Sequence, residues 1–139
     1  MSTILVYAPA LGHTKLHHPE NNSRIAEIPT ALEHFGLLNA FSVVKPKPAS
    51  FEQLRRVHTE GLIQFVKQIS RTGGGLLDGG DTYATAETYD LALLAAGGCC
   101  EAVDEIMEGN AKNGIALIRP PGHHAESDHV SGFCIFNNI

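Results

Sequence analysis

The sequence predicts an α/β fold in which a parallel sheet of about three strands is flanked by helices. Short apolar runs indicate strands at Ile4–Tyr7, Phe41–Val44 and Ile115–Ile118. Segments with a helical spacing of apolar residues lie between these runs, and this alternation is typical of parallel strands joined by right-handed crossovers. The 139 residues suffice for one domain with a hydrophobic core.

Local signals place the shorter helices between the strands. The first is predicted over residues 23–35, where Pro29 favours a kink or a late start and Gly36 favours a stop. A second begins at Ser50 and Gln53, which form the signature of a capping box. A third is indicated by apolar residues at helical spacing and is closed by a glycine run; these markers are Leu62, Phe65, Val66, Ile69, Gly73, Gly74 and Gly75.

The longest helix is predicted over residues 85–108 and ends at Gly109-Asn110. We expect one face of it to be lined by the apolar residues Tyr89, Leu93, Ala96, Cys100, Val103 and Met107. The loops 8–22 and 72–84 are predicted to lie at the surface beside a site. Ligands of parallel sheets bind beyond the carboxyl ends of the strands, so the segment after Ile118 is the place to look for chemistry.

Composition excludes several classes of function. The net charge of −5 argues against binding a nucleic-acid backbone, which needs a basic face. No apolar run approaches the roughly 20 residues of a membrane span, and the N-terminus lacks the regions of a secretory signal. We therefore expect a cytoplasmic protein that binds neither nucleic acid nor membrane. The three cysteines, Cys99, Cys100 and Cys134, lack zinc-knuckle spacing, and the first two are interpreted as packing residues.

The most informative segment is RPPGHHA at residues 119–125, which follows the last predicted strand and precedes SGFC at residues 131–134. Proline fixes the approach to the two histidines and glycine permits a tight turn. Histidine has an ordinary pKa of about 6.5, which suits proton transfer near neutral pH. On the residues alone, His123 and His124 are either an ordinary loop pair or a catalytic or metal-binding pair.

Four motifs resemble, in their order along the chain, those of the zinc-dependent histone deacetylases and their relatives the acetylpolyamine amidohydrolases; the spelling of the last motif, which has two parts, is closest to the class II-like branch. RPPGHHAE and SGFCIFNN resemble the core motif of that family. HPENNSRI at residues 18–25 resembles its H-P-E-x-x-x-R-[IL] segment, VHT at 57–59 its V-H-[ST] segment, and DGGDTY at 78–83 its D-x-D-T-Y loop. The resemblance covers nearly the whole chain and implies a partial arginase/deacetylase-like fold.

The resemblance implies roles for five residues. His124 would be the general base and acid toward zinc-activated water, and His123 its electrostatic and hydrogen-bonding partner. Gly132 and Phe133 would line the acyl channel, and Asp81 would accept hydrogen bonds from the substrate backbone at the rim. The alternative interpretation of Phe133 is an ordinary packed residue after a flexible glycine, and that of Asp81 is a turn or helix-capping aspartate.

The other histidines receive structural interpretations. His58 lies at a helix entrance and is interpreted as a capping or packing residue. His17, His18 and Arg24 belong to a family-like loop, in which we expect exposed or structural roles for the two histidines. No function is expected for the remaining histidines, His13, His34 and His129.

The zinc ligands of the family, the aspartate partners of its histidine pair and its carbonyl-polarising tyrosine all follow the F-N-N segment. The resemblance therefore implies that residues 1–139 are the N-terminal part of a deacetylase-like domain. Zinc is the cofactor of the full-length family, and we expect this chain alone to bind none at a deacetylase site. We also expect no hydrolysis by it, because water without a metal keeps a pKa of about 15.7 instead of about 7.

Two functions stay open. The first is the N-terminal portion of an acetyl-lysine or acetylpolyamine amide hydrolase, completed by a further segment or a complementary C-terminal polypeptide. The second is a non-catalytic, self-associating deacetylase-like domain that binds a small ligand or partner. The apolar strand Ile115–Ile118 is expected at the edge of the sheet, and it favours a homo-oligomer formed by edge pairing or by exchange of the C-terminal segment after Gly132.

Overall fold

The fold is that of a computed structural model, which describes residues 2–139. Its helices and strands, in chain order, are β1 (Thr3–Ala8), α1 (Ile28–His34), β2 (Phe41–Val44), α2 (Phe51–Arg55), α3 (Glu60–Arg71), β3 (Gly74–Leu76), β4 (Tyr83–Thr85), α4 (Thr88–Met107) and β5 (Asn113–Ile118). One further 3-10 turn precedes β2. The three strands predicted from apolar runs are β1, β2 and β5, and all three predictions are confirmed.

A three-stranded parallel sheet forms the centre, with the order β2-β1-β5. β1 pairs with β5 along its whole length, from Thr3 opposite Asn113 to Ala8 opposite Ile118. The side chains of Leu5 and Val6 in β1 are buried, as the middle strand of a sheet covered by helices requires. The predicted α/β class with a parallel sheet is therefore confirmed.

Two helix starts follow the local sequence signals. α1 begins at Ile28 and carries Pro29 in its first turn, where the missing N–H costs no helical hydrogen bond, so the late start is confirmed. At α2, the Ser50 hydroxyl accepts from the Gln53 N–H at 3.1 Å, and the Gln53 side-chain oxygen accepts from the Ser50 N–H at 2.8 Å. This is the predicted capping box.

The predicted face of α4 is wrong over its C-terminal half. Val103 and Met107 are 58% and 80% exposed. The buried residues of α4 are mostly alanine and glycine. At Gly97 the helix lies so close to the backbone of residues 47–49 that an added Cβ would collide with it. Small residues allow this close approach, whereas the spacing of larger apolar residues pointed to another side of the helix.

The sequence also missed a hairpin between α3 and α4. β3 and β4 pair antiparallel, with Gly74 opposite Thr85 and Leu76 opposite Tyr83. The glycines after α3 therefore end that helix and open a strand. Asp78 holds the connecting turn by accepting from the N–H groups of Gly80 at 2.9 Å and Thr82 at 3.1 Å.

The core has two parts. The larger packs α3 and α4 against the segment 130–136, where Ile135 and Phe136 are almost fully buried. The smaller lies between the sheet and α4 and includes Ile4 and Val6. No helix within residues 2–139 has the length and apolar character needed to cross a membrane.

Candidate active site

The segment that carries the histidine pair begins directly beyond the carboxyl end of β5. The N–H of Ala125 donates to the Gly122 carbonyl at 3.0 Å and closes a tight turn around the pair. The N–H of Ile135 donates to the Pro121 carbonyl at 3.1 Å, so the end of the segment lies beside its beginning. The predicted position at the carboxyl edge of a parallel sheet is thereby observed.

His123 and His124 are both exposed, and their ring centroids lie 4.2 Å apart. Within residues 2–139, none of their ring nitrogens takes part in a hydrogen bond. An imidazole with free nitrogens can accept or donate a proton to a molecule that enters from outside. The pair is therefore available for chemistry in a way that a buried histidine is not.

The pair opens onto a cleft of about 410 Å³, whose walls include Glu20, Arg24, Gly132 and Phe133. Gly132 has φ of +55°, and a Cβ at this position would collide with the His124 ring. Glycine accommodates both the left-handed backbone and the close approach of the imidazole, whereas a Cβ here would force the His124 ring to shift. The structure brings together four of the five residues singled out by the family resemblance: His123, His124, Gly132 and Phe133.

Phe133 is held in an unfavourable backbone conformation. Its φ of +69° lies in the left-handed region, which costs a non-glycine residue roughly 1–2 kcal/mol. Its N–H donates to the Thr82 hydroxyl at 3.1 Å, and its ring meets the His18 ring edge-on at 4.8 Å. Strain of this kind persists where the surroundings fix a side chain in place, and here it turns the ring toward the cleft.

Asp81 does not line the cleft but contacts it indirectly, through His18 and Phe133. Its carbonyl accepts from Nε2 of His18 at 2.9 Å, and that ring touches Phe133. Its carboxylate is exposed and accepts no hydrogen bond from residues 2–139. The turn-capping role that the sequence left open for Asp81 is filled by Asp78. The Asp81 carboxylate is therefore open to solvent but does not line the cleft.

A buried ion pair below the cleft was missed from the sequence. Arg119 is fully buried, and its Nε lies 2.5 Å from a carboxylate oxygen of Glu20. The same carboxylate also pairs with Arg24 at the cleft wall. The remaining guanidinium nitrogens donate to the carbonyls of Pro9 at 2.7 Å, Ala10 at 3.0 Å and His13 at 2.6 Å.

Arg119 therefore ties the loop 9–20 to the start of the histidine segment. A buried charge is tolerated when it is paired and hydrogen-bonded, and these contacts meet that condition. The burial of Arg119 could have been predicted from the sequence, because it is a single charged residue between an apolar strand and a Pro-Pro pair. Its partner Glu20 stands 99 residues earlier and had no comparable signal.

The loop 9–20 also buries His13. Its ring stacks on Tyr83 with centroids 4.4 Å apart, and its Nδ1 lies 2.7 Å from the Thr88 hydroxyl. Burial, aided by the nearby positive charge of Arg119, lowers the pKa of His13 to about 3. Burial raises the pKa of Tyr83 to about 12, and its hydroxyl donates to the Glu20 carbonyl at 2.7 Å. Both side chains stay neutral near neutral pH and support the site without titrating.

The described residues do not form a complete metal site. No group of three or more His, Cys, Asp and Glu side chains within residues 2–139 is arranged to hold a metal ion. Cys134 is fully buried, and burial raises the pKa of its thiol, which disfavours the thiolate that binds metals. The cleft offers two imidazoles and an apolar ring, but no three-donor metal group within residues 2–139 includes them.

A second cavity, of about 330 Å³, lies between α2 and α4 and is lined by Leu54, Cys99 and Val103. The two cysteines there are partly buried, and burial raises the pKa of both thiols. No free imidazole faces this cavity among its described walls. The histidine cleft is both the larger of these two cavities and the one that carries free imidazoles, and it is therefore the candidate active site.

Comparison with known proteins agrees with the motifs. The sequence model of the family described as "Histone deacetylase domain" matches residues 18–139. The chain is 38% identical to a probable deacetylase of Archaeoglobus fulgidus over 88% of its own length and 34% of the relative. It is 38% identical to a histone deacetylase-like amidohydrolase of Pseudomonas aeruginosa over 94% of its length and 33% of that relative.

A solved structure, the crystal structure of the HDA15 HD domain, superimposes on 99% of the chain with a TM-score of 0.92 and 32% sequence identity. The match covers 41% of that domain chain. The chain thus spans about a third of the two curated relatives and two fifths of the solved structure.

Proposed function

Because the chain belongs to the histone deacetylase domain family, we propose that it supplies the proton-transfer and acyl-channel part of an amide hydrolase site. The proposed substrates are acetyl-lysine in a peptide or an acetylpolyamine. The zinc on which the family depends would be held by residues outside residues 2–139, in a further segment or a complementary C-terminal polypeptide. The chain by itself would be inactive.

The observation that carries the proposal is the free imidazole pair in the cleft. His124 lies against Gly132, where its ring is positioned by contact and its nitrogens stay unpaired within residues 2–139. In amide hydrolysis, one group must take the proton of the attacking water and return it to the leaving amine. His124 performs both transfers in this proposal, and His123 stabilises the charge that its neighbour acquires.

The substrate end of the proposal rests on Phe133 and Asp81. The aromatic ring of Phe133 faces the cleft and offers an apolar wall to the methylene stem of an acylated amine. The exposed Asp81 carboxylate can accept hydrogen bonds from substrate N–H groups or pair with a second amine of a polyamine. An overall charge of −5 is compatible with cationic substrates of this kind.

The direct experiment is an assay of the natural full-length protein with an acetyl-lysine peptide and with an acetylpolyamine. We expect release of acetate from at least one of them, with loss of turnover after chelation of zinc. A folded, zinc-loaded protein that hydrolyses neither substrate would remove the proposal.

The same assay and a measurement of zinc content are made on the 139-residue chain alone. We expect less than stoichiometric zinc after purification and no acetate release above background. One tightly bound zinc per chain, together with turnover that depends on His124, would contradict the division of the site proposed here.

Self-association is the second candidate function, and the position of β5 favours it. β5 lies at one side of the three-stranded sheet, with β1 as its neighbour. Its residue Ile115 is 44% exposed, and no charged residue interrupts Ile115–Ile118. An unprotected apolar edge pairs readily with another chain, so we propose a two-fold dimer formed there or by exchange of the segment after Gly132.

Light scattering of the chain over a concentration series tests the dimer. We expect about twice the chain mass of 14.9 kDa at high concentration, and a shift to monomer in the variant Ile115→Lys, because a charge on the edge blocks pairing. Lys45→Ala, on an exposed site away from β5, is the control and should stay dimeric. A monomer at every concentration would contradict edge pairing.

A further inference from the structure

Three consecutive carbonyls directly after the histidine pair are each bound by a donor from elsewhere in the chain. The Ala125 carbonyl accepts from the Asn137 side-chain amide at 3.0 Å. The Glu126 carbonyl accepts from His58 Nδ1 at 2.9 Å, and the Ser127 carbonyl accepts from the Thr59 N–H at 2.8 Å. The backbone that leaves His124 is therefore held at every residue over this stretch.

His58 joins two of these attachments. Its Nε2 accepts from the Asn137 N–H at 2.8 Å. His58 and Asn137 are therefore bonded to each other, and each is also bonded to the loop after the histidine pair. We call His58, Asn137 and the carbonyls of Ala125 and Glu126 the imidazole clamp. The clamp closes a ring of three hydrogen bonds between residue 58, the loop after the histidine pair and the segment after Phe136.

The partners of His58 determine its tautomer. A backbone N–H can only donate, so Nε2, which faces the Asn137 N–H, must carry a lone pair. A carbonyl can only accept, so Nδ1, which faces the Glu126 carbonyl, must carry the proton. A charged ring would place two donors against each other at Asn137, and the clamp therefore requires the neutral ring.

The surroundings of His58 favour that neutral form. The residue is 2% exposed, and burial lowers the pKa of its imidazole. Its ring lies 5.6 Å from the Phe136 ring, and the Arg55 guanidinium donates to its backbone carbonyl rather than to the ring. The carboxylate of Glu126 is exposed and engages His129 instead of His58.

We propose that His58 is a positioning residue for the histidine pair: as the Nδ1–H tautomer, it fixes the backbone after His124 against the segment at Asn137 and so sets the direction of the pair in the cleft. The consequence for turnover rests on the function proposed above, whereas the clamp itself does not. An apolar residue of similar size would fill the same space but would release Glu126 and Asn137. His58 is thus distinguished from an ordinary packing residue by its two ring nitrogens.

Three substitutions separate the two ends of the clamp. The side-chain amide of Asn reaches the place of Nδ1, so His58→Asn keeps the bond to the Glu126 carbonyl. The side chain of Gln reaches the place of Nε2, so His58→Gln keeps an acceptor for the Asn137 N–H. His58→Phe keeps the volume and removes both bonds.

The readouts are amide hydrogen exchange and nitrogen NMR of the imidazole in the natural full-length protein. We expect wild-type His58 to show a protonated Nδ1 and a bare Nε2 at pH 7. Exchange at the Asn137 amide should rise at least tenfold in His58→Asn and His58→Phe but stay slow in His58→Gln. Exchange at the Ala125 amide, which closes the turn around the pair, should rise in His58→Gln and His58→Phe but stay slow in His58→Asn.

The rate of turnover is a further readout, because a residue that only fills space could be replaced by Phe without changing kcat. If the pair is the proton-transfer group, His58→Phe should lower kcat at least tenfold, with KM changed less than threefold, when rates are counted per folded molecule. If the natural protein hydrolyses neither substrate, the exchange and NMR results still decide the clamp. An Nε2–H or charged ring at pH 7, or equal exchange changes in all three variants, would overturn it. A kcat per folded molecule that is unchanged in His58→Phe would overturn the positioning role.

Discussion

Five of the eight histidines form two groups with opposite properties. His13, His18 and His58 are buried at 8% exposure or less, and each has at least one ring nitrogen in a hydrogen bond. His123 and His124 lie on a turn at the carboxyl edge of the sheet and are exposed, and their ring nitrogens make no hydrogen bond within residues 2–139. The same side chain is used as a fixed part of the frame in one region and left free in the other.

The two groups differ in what holds each imidazole ring. His18 illustrates the first use, because Nε2 donates to the Asp81 carbonyl at 2.9 Å and Nδ1 lies within 3.1 Å of both the N–H and the carbonyl of Glu20. His124 illustrates the second, because contact with Gly132 orients the ring while both nitrogens stay open. Loss of a buried histidine should therefore damage folding, whereas loss of His123 or His124 should leave folding nearly unchanged.

The largest effect is expected at the ion pair that supports the buried region. Arg119→Ala removes the buried cation that pairs with the Glu20 carboxylate, leaving only the half-exposed Arg24, and it removes a buried donor from three backbone carbonyls. Breaking a buried pair from one side costs about 3–5 kcal/mol of the free energy of unfolding. Chemical denaturation followed by circular dichroism measures this loss.

Arg56→Ala is the matched control, since Arg56 pairs with Glu52 at the exposed surface at 3.4 Å. Exposed pairs contribute little, so this variant should stay within about 0.5 kcal/mol of wild type. Equal losses in the two variants would show that the buried pair does not hold the loop 9–20.

Acid should weaken the buried region next. The pKa of His13 is lowered to about 3 in the folded chain and returns to about 6.5 on unfolding, so the unfolded chain binds the proton first. Its contribution is complete above pH 6.5 and is lost as the pH falls from 6.5 toward 3. At pH 5 this loss amounts to about 2 kcal/mol. His58 acts in the same direction, because burial also lowers its pKa.

Denaturation at pH 7 and pH 5 measures the change. His13→Asn keeps a polar atom near the place of Nδ1 beside the Thr88 hydroxyl and removes the titrating group, so the drop between the two pH values should shrink. His34→Asn, at an exposed position, should leave the drop as it is in wild type. A drop of the same size in all three proteins would show that His13 is protonated in the folded chain.

The smallest effect on folding is expected at the exposed pair. His123→Ala and His124→Ala remove no hydrogen bond of the ring to residues 2–139, and substitutions at such surface positions change the free energy of unfolding by about 0.5 kcal/mol or less. The same denaturation experiment at pH 7 checks this. A decrease of more than about 2 kcal/mol in the free energy of unfolding of either variant would show that the pair stabilises the fold, and would contradict the difference between the exposed and the buried histidines.

The sequence was sufficient where local chemistry decides structure. The strands β1, β2 and β5, the late start of α1 at Pro29 and the capping box at Ser50 all follow from the nearest few residues. It failed where packing between distant elements decides. The face of α4 is set by small residues that approach the backbone of residues 47–49, and apolar spacing gives small residues little weight.

For the site, motifs located the cleft but not its support. His123, His124, Gly132 and Phe133 are neighbours in sequence and surround one cavity. The contacts that hold them join residues far apart, such as Arg119 with Glu20 and His58 with Asn137. A single sequence carries no direct signal of such pairings, because each partner is an ordinary polar residue in its own segment.

The central claim is that the exposed pair reacts while the buried histidines hold the frame, and one comparison tests it directly. In the natural full-length protein, turnover of an acetyl-lysine peptide or acetylpolyamine is measured for His124→Ala and for His129→Ala, an exposed histidine of the same loop. We predict a loss of about a hundredfold or more in kcat for His124→Ala, as expected for removal of a general base, and near wild-type kcat for His129→Ala. Wild-type turnover in folded His124→Ala would contradict the account.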